Sequence, residues 1–288
     1  MTDLALSSAA ISERRPWSVE RIGVHLVLML FVAIALGPIL VVIVNSVKTT
    51  PAIFGGPFAL PTSETFSLAG YQRVFTRGNF LVNYRNSLVV TVSAVALTVI
   101  LSTLAAYALV EYRVRGVALL AGLFILGVML PIRLGTIPLI QIMITLRLMD
   151  TLWALILVYT AMSIPLGVTL MMTYFRTVPV ELKEAARVDG ATEWRTFTIV
   201  LPLVRPGLAA VATVTMLPIW NDLWFPLILA PNKANQTVTL GVQQFVGQFL
   251  NDYPALLAAL TLGAVPLVVL YAIFSRQFIR GLSQGYGK

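Results

Sequence analysis

The sequence predicts an all-α, polytopic membrane protein with six transmembrane helices and a polar two-helix loop between the fourth and the fifth. Three observations carry this. Of 288 residues, 58% are hydrophobic and 11% charged, with a mean hydropathy of +0.88, which is more apolar than a soluble core of this length requires. Six stretches, 22–46, 87–110, 117–135, 153–174, 207–230 and 256–275, approach the length of about 20 apolar residues that a helix needs to cross a bilayer. A charged island from Pro179 to Pro206 interrupts this pattern and lies between two of the apolar stretches.

The expected organisation is a polar tail at 1–21, a first span at 22–46, an outer loop at 47–86, a core of five spans at 87–275 containing the polar loop 177–206, and a second tail at 276–288. An even number of spans places both termini on one side. Taking that side as cytoplasmic collects Arg14, Arg15, Arg21, Arg113, Arg115, Arg176, Lys183, Arg187, Arg195, Arg205, Arg276, Arg280 and Lys288, thirteen of the twenty Lys and Arg residues. Four of the other seven lie in the long loop 47–86, where charge counts least toward orientation. Topology therefore accounts for the net charge of +8, and without a basic run interleaved with exposed aromatics no nucleic-acid partner is expected. The absence of cysteine excludes disulfides, thiolate metal sites and a cysteine nucleophile.

In chain order, the first span is too long for a signal-peptide core and lacks a cleavage site, so it is expected to remain as an anchor, and Arg14 and Arg15 do not make a twin-arginine signal beside Pro16 and Trp17. His25 near its start reads as an interfacial side chain or as a proton relay. The loop 47–86 carries turn sequences at FGGPF and LPTSE and a short helical piece over Tyr71 to Phe75. Ser87, Ser93, Ala94, Ser102, Ala105 and Ala106 make the second span a close-packing inner helix. The third span ends at Pro131, Gly135 and Pro138, and Arg133 there either lines a cavity or snorkels to the interface. Arg147 and Asp150 read as a solvated outer turn.

In the island, Pro179 suits a first helical turn, Glu181 and Glu184 favour a helix N-terminus, and Gly190 supplies a left-handed stop. Leu182, Ala185 and Ala186 share one face, flat enough for another protein to approach. Thr192 can cap a second short helix bearing Trp194, Phe197 and Leu201, limited by Pro202 and Pro206. On pattern alone the island reads either as a docking element or as an amphipathic loop on the membrane surface. In the fifth span Pro218 cannot donate to the Val214 carbonyl, so a kink is expected beside Trp220, Asn221, Asp222 and Trp224. These residues form either an interfacial aromatic belt or, with Arg133, part of a translocation path. The loop 231–254 contains VTLGVQQF and an apolar turn around Phe249 and Tyr253, and Pro266 interrupts the sixth span.

The run Glu184, Ala185, Ala186, Asp189, Gly190, Ala191, Phe197, Leu201, Pro202 resembles the EAA loop of permease subunits of binding-protein-dependent ABC importers, and the likeness to sugar-type, maltose-type members with a MetI-like core extends from Asn86 to Lys288. The gap from Phe197 to Pro202 is one residue shorter than the family's usual spacing, a change that turns a following helix by about 100°. The resemblance implies that Glu184, Ala185, Ala186, Asp189, Gly190, Ala191 and Phe197 belong to a coupling helix seated on a cytosolic ATPase dimer, which binds ATP and Mg. It further implies a second permease subunit, an extracytoplasmic solute-binding protein docking at 231–254, a carbohydrate cargo (an oligosaccharide, disaccharide or related sugar), and Trp220, Asn221, Asp222 and Trp224 on its path. Family members also end in a tail like that at Arg276 to Lys288, and Tyr286 stands where a small residue is usual. The chain itself has no phosphate-binding loop, no dinucleotide fingerprint and no metal-spaced His and carboxylate cluster, so it is expected to hold no cofactor and to be a transporter subunit, not an enzyme, with no ATPase site of its own. An ion-coupled secondary transporter is the competing class, with Asp222, Arg133 and His25 as its candidate relays.

Overall fold

The computed structural model describes residues 19–112, 115–247 and 251–285, with side chains over 22–269 of these. Arg14, Arg15, Arg113, Phe249, Tyr286 and Lys288 lie outside the described residues.

The chain is helical almost throughout, and among the described residues the only extended pairing is one antiparallel bridge between Lys48 and Phe66. Helix α1 spans Val19–Asn45, and two short helices, α2 (Thr50–Gly55) and α3 (Ala69–Arg77), follow in the loop after it. Helix α4 (Phe80–Glu111) begins inside what the sequence reading assigned to loop 47–86, because Asn83 and Asn86 are buried on its inner face against residues that come much later in the chain. Asn86 Nδ2 donates to the carbonyls of Ala234 (2.8 Å) and Gln236 (3.1 Å). Helix α5 (Val117–Met129) is followed by a 3₁₀ turn at Ile132–Gly135 and α6 (Thr136–Thr145). The expected third span is thus broken: α5 alone has 13 residues, short of a bilayer, and the following helix departs at 92°. Pro131 marks the break, whereas Pro138 lies in the first turn of α6, where its missing N–H costs nothing.

Helix α7 (Leu152–Arg176) pairs with α4 along the centre of the molecule. Small residues permit this approach: a Cβ on Gly167 would lie 2.9 Å from Ser102 Cβ, so side chain is excluded there. The polar island forms α8 (Val180–Val188) and α9 (Glu193–Val200), followed by α10 (Arg205–Asn221) and α11 (Trp224–Leu229). After α11 come α12 (Val238–Val242), a 3₁₀ turn at Gln243–Phe245, and α13 (Tyr253–Gly285). Three helices, α1 over Ile22–Asn45, α4 and α7, are each long and apolar enough to cross a membrane, and Tyr253–Val269 is a shorter apolar stretch opening α13.

Three apolar clusters run along α4. The first joins Val90 and Ala94 to Leu155, Tyr159, Ile219 and Phe225; the second joins Ala106 and Tyr107 to Met171, Phe175, Phe197 and Val204; the third joins Phe80 to Val74, Trp220, Val238 and Phe245. Helix α1 stands outside them. Its side chains are apolar on every face and exposed, Phe31 by 70% and Ile34 by 66%, which is the surface of a helix meant for lipid or another apolar partner. Its C-terminal end is anchored: Asn45 and the following Ser46 and Lys48 are buried, and Lys48 Nζ donates to Asn45 Oδ1 (3.1 Å) and to the Gly56 carbonyl (3.0 Å). At the same end α3 is fastened to the start of α13 by Arg73 and Asp252, at 2.6 and 2.9 Å.

Candidate functional site

Two regions hold the residues singled out by sequence. The first is the corner between α8 and α9. Pro179 is the N-cap residue of α8, with Glu181 in the first turn, where carboxylates complement the helix dipole. The helix ends in a left-handed stop. Gly190 adopts φ +78°, its N–H reaches the Arg187 carbonyl (3.0 Å), and the Ala191 N–H reaches back to Ala186 (2.9 Å). Asp189 is the C-cap residue. Thr192 then caps α9, its side chain accepting from the Arg195 N–H at 3.3 Å.

The corner has an inner and an outer face. Lys183 and Ala186 point inward on α8, as do Thr196, Phe197 and Val200 on α9. Outside lie Glu181, Leu182, Glu184, Ala185, Val188 (87% exposed) and Trp194 (67%). The expected flat face of Leu182, Ala185 and Ala186 is therefore divided: Ala186, at 8% exposure, packs into the chain's own fold, while Leu182 and Ala185 remain outside. Phe197 likewise is a core anchor, held edgewise by Tyr107 at 5.0 Å between ring centres. This packing leaves Trp194, Thr198 and Ile199 on the exposed side of α9.

Charge ties the corner together. Lys183 Nζ donates to Glu111 Oε2 at 2.7 Å, Arg187 Nη2 donates to Glu111 Oε1, and Arg187 Nε donates to Glu193 Oε1 at 3.0 Å. Hydrogen bonds to Glu193 and then to Glu111 raise the pKa of Arg187 above its ordinary value, so it is charged throughout the physiological range. Glu111 was not singled out by sequence reasoning. The available signal was a lone carboxylate closing an apolar span, facing two cations four residues apart.

The second region is the end of α10. The helix continues through Pro218 and stops at Asn221, and α11 begins after Asp222 and Leu223. Asp222 joins three helices: its Oδ2 accepts from the Tyr159 hydroxyl (2.8 Å) and from the Phe225 N–H (3.0 Å), and its carbonyl accepts from Thr239 Oγ1 (2.7 Å). Trp220 is 3% exposed, donates Nε1–H to the Gly263 carbonyl (3.0 Å) and meets Tyr84 edgewise, so its ring is packed within the fold, where it borders the cavity that opens beside Asn221. Asn221 and Trp224 are exposed. Trp224 Nε1 donates to Thr136 Oγ1 (3.1 Å), and the Arg133 guanidinium lies 5.9 Å from the centre of its ring. A cavity of about 370 Å³ opens beside Asn221, bordered by Thr239, Gln243 and Gly263.

Asp150, read from sequence as merely solvated, instead takes a left-handed conformation (φ +57°) and staples the loop after α11. It accepts from the Asn232 N–H (3.0 Å) and from Asn235 Nδ2 (2.5 Å). In the loop 231–254, where a solute-binding protein is expected to dock, Val238, Leu240, Val242 and Phe245 are buried. Its Tyr253 opens α13 and meets Phe54 edgewise at 4.9 Å. His25 sits on the exposed surface of α1. Among the described residues no group of three His, Asp or Glu side chains is placed to hold a metal ion.

Residues 99–284 match the family described as binding-protein-dependent transport system inner membrane component. The diacetylchitobiose uptake system permease of Streptomyces coelicolor is 33% identical over 281 residues, covering 96% of this chain and 91% of its own length. The trehalose transport system permease of Mycobacterium tuberculosis is 32% identical over 259 residues, 89% of this chain and 93% of its own. The sulfoquinovosyl glycerol transport system permease of Agrobacterium fabrum is 32% identical over 250 residues, with coverages of 86% and 87%. In fold, the chain superposes with a TM-score of 0.79 on a chain of a bacterial ABC transporter involved in the import of the acidic polysaccharide alginate, at 22% identity, covering 91% of this chain and 97% of that one.

Proposed function

We propose, from the premise that this chain belongs to the family of binding-protein-dependent transport system inner membrane components, that the α8–α9 corner seats a partner ATPase whose ATP hydrolysis drives a saccharide across the membrane. The chain is an integral membrane permease of an ATP-binding-cassette importer, with the MetI-like fold. Carbohydrate cargo is supported by relatives whose systems take up diacetylchitobiose and trehalose.

The observation that carries the coupling role is the outward face of the corner. Leu182, Ala185, Val188 and Trp194 present apolar surface, and Glu181 and Glu184 rim it with charge, on a helix whose other face is fixed by burial of Lys183 and Ala186. Apolar side chains of this size, exposed together beside carboxylates, suit a protein partner. Glu184, Ala185, Asp189, Gly190 and Ala191 form or position that surface, and Ala186 and Phe197 hold it from beneath. The importer then comprises this chain, a second permease, two ATPase copies that bind ATP and Mg, and an extracytoplasmic solute-binding protein, in a bacterial plasma membrane with both termini cytoplasmic. Asn221, Trp224 and Arg133, which bring an amide, an exposed indole and a cation to the broken ends of α5 and α10, are the residues of the path. Trp220 and Asp222 position them from within the fold.

The test uses the complex purified through this chain, which has no cysteine of its own. Cysteines at Ala185 and Val188 are expected to cross-link to an ATPase subunit while one at Ala186 does not. Reaction of both exposed positions only with lipid-phase probes would overturn the coupling role. Uptake that collapses with the ion gradient while ATP remains would overturn the ATP-driven one.

A further inference from the structure

We propose that the last turn of α4 is a second anchor of the α8–α9 corner, and that Glu111 is the positioning residue through which movement of α8 enters the membrane-embedded helices. The corner is joined covalently to α7 before it and to α10 after it. Glu111 adds a third attachment, to a helix 72 to 76 residues away in sequence.

The geometry is that of a clamp. Lys183 on the inner face of α8 and Arg187, one helical turn on and 36% exposed, each take a different oxygen of the same carboxylate. The Glu111 side chain is 6% exposed and that of Lys183 is 9% exposed, so solvent screens this contact far less than a surface pair. Lysine and glutamate are rarely so buried unless paired, and loss of one partner leaves a buried charge uncompensated. Arg187 also reaches Glu193, so one guanidinium links α4, α8 and α9.

A second, independent contact comes from the same turn of α4. Tyr107 lies four residues before Glu111, on the same helix face, and packs edgewise against Phe197 of α9 (5.0 Å) and Phe175 of α7 (5.5 Å). Glu111 therefore grips one arm of the corner by charge and Tyr107 grips the other by shape. Because α4 packs along α7 and α10, a load applied to α8 is delivered to the centre of the bundle. Without the carboxylate, α8 is restrained at its ends and at Ala186, and tilts on its own.

The proposal rests on the ATPase-seating role of the corner, and its test separates the two. In the purified complex in lipid nanodiscs, spin labels at Leu104→Cys on α4 and Val180→Cys on α8, outside the proposed ATPase seat, report the tether directly. Both positions are exposed. One narrow distance is expected, the same without nucleotide and with ATP–vanadate, and Glu111→Gln is expected to broaden it. A second readout is alkylation of Asn221→Cys by a membrane-impermeant maleimide. In the otherwise unaltered chain its rate is expected to change about tenfold on ATP–vanadate trapping, within the range of coupling effects. The change should be lost in Glu111→Gln and retained in Glu111→Asp. Lys183→Met attacks the same contact from α8, and decides the matter if Glu111→Gln fails to assemble. An unaltered α4–α8 distance in Glu111→Gln, or in Lys183→Met where only that variant assembles, overturns the clamp. So does a nucleotide-dependent alkylation that survives in that variant. If the unaltered complex shows no response to ATP–vanadate at Asn221, the importer reading fails, while the distance measurement still stands as a test of the tether.

Discussion

The corner at Gly190 and the break at Asp222 are built from similar materials and put them to opposite uses. Each follows a helix, each places an aspartate at the interruption, and each has tryptophan within a few residues. At the corner, Asp189 and Trp194 remain outside and the helix end closes on its own backbone through Gly190. At the break, Asp222 caps α11, accepts from Tyr159 on α7 and is linked to Thr239 on α12, and Trp220 is buried. A carboxylate drawn out of water needs donors, and that of Asp222 has them from α7 and α11, whereas Asp189 keeps its solvent. The first region leaves its side chains for another molecule. The second spends most of its own on joining helices, leaving Asn221 and Trp224 exposed.

The largest effect that separates the two concerns their tryptophans. Trp220→Ala removes a 3%-exposed ring together with its Tyr84 contact and the bond to Gly263, and should cost about 3–5 kcal/mol, seen as a large fall in melting temperature in detergent. Trp194→Ala, at a 67%-exposed position, should leave melting almost unchanged while weakening ATPase binding. Equal melting of the two variants would erase the distinction. Next is Gly190→Val. A Cβ at Gly190 meets nothing within 4 Å, so its cost is backbone strain at φ +78°, about 1–3 kcal/mol and confined to the corner. The protein should insert and melt nearly normally but transport poorly per ATP hydrolysed, and Gly190→Asn, which tolerates this conformation better, should be milder. The smallest effect is that of Tyr159→Phe. It deletes one donor to Asp222 but leaves the Phe225 N–H in place, so about 1 kcal/mol should be lost, measurable as a modest drop in melting. A much larger drop would mean that the break depends on this bond more than the remaining partners suggest.

Local signals were legible where backbone chemistry decides. The stop at Gly190, the cap at Thr192 and the short helix around Tyr71 to Phe75, which forms within Ala69–Arg77, all follow from residue type and offset. Which side of a helix faces protein was not legible. Leu182, Ala185 and Ala186 share spacing, yet Ala186 is inside and the others outside, because Glu111 and Tyr107, distant in sequence, draw the Lys183 face inward. Asn83 and Asn86 looked like loop residues until the loop after α11 supplied their surroundings, and Asp150 looked solvated until that same loop came to meet it. The helix carrying Pro218 runs on to Asn221 and ends at Asp222, where the backbone can trade helical bonds for a side-chain acceptor.

Composition and periodicity alone determined that this chain is helical, apolar enough for a bilayer and interrupted by a charged two-helix corner, because burying backbone in lipid leaves few alternatives and helix ends announce themselves in Gly, Thr and Pro. Tertiary structure alone decided which face of that corner is offered outward, which polar groups are consumed within the fold, and that α4 reaches the corner at all. Those outcomes depend on pairings between residues many turns apart, where the partner that compensates a buried charge cannot be read from its neighbours in the chain.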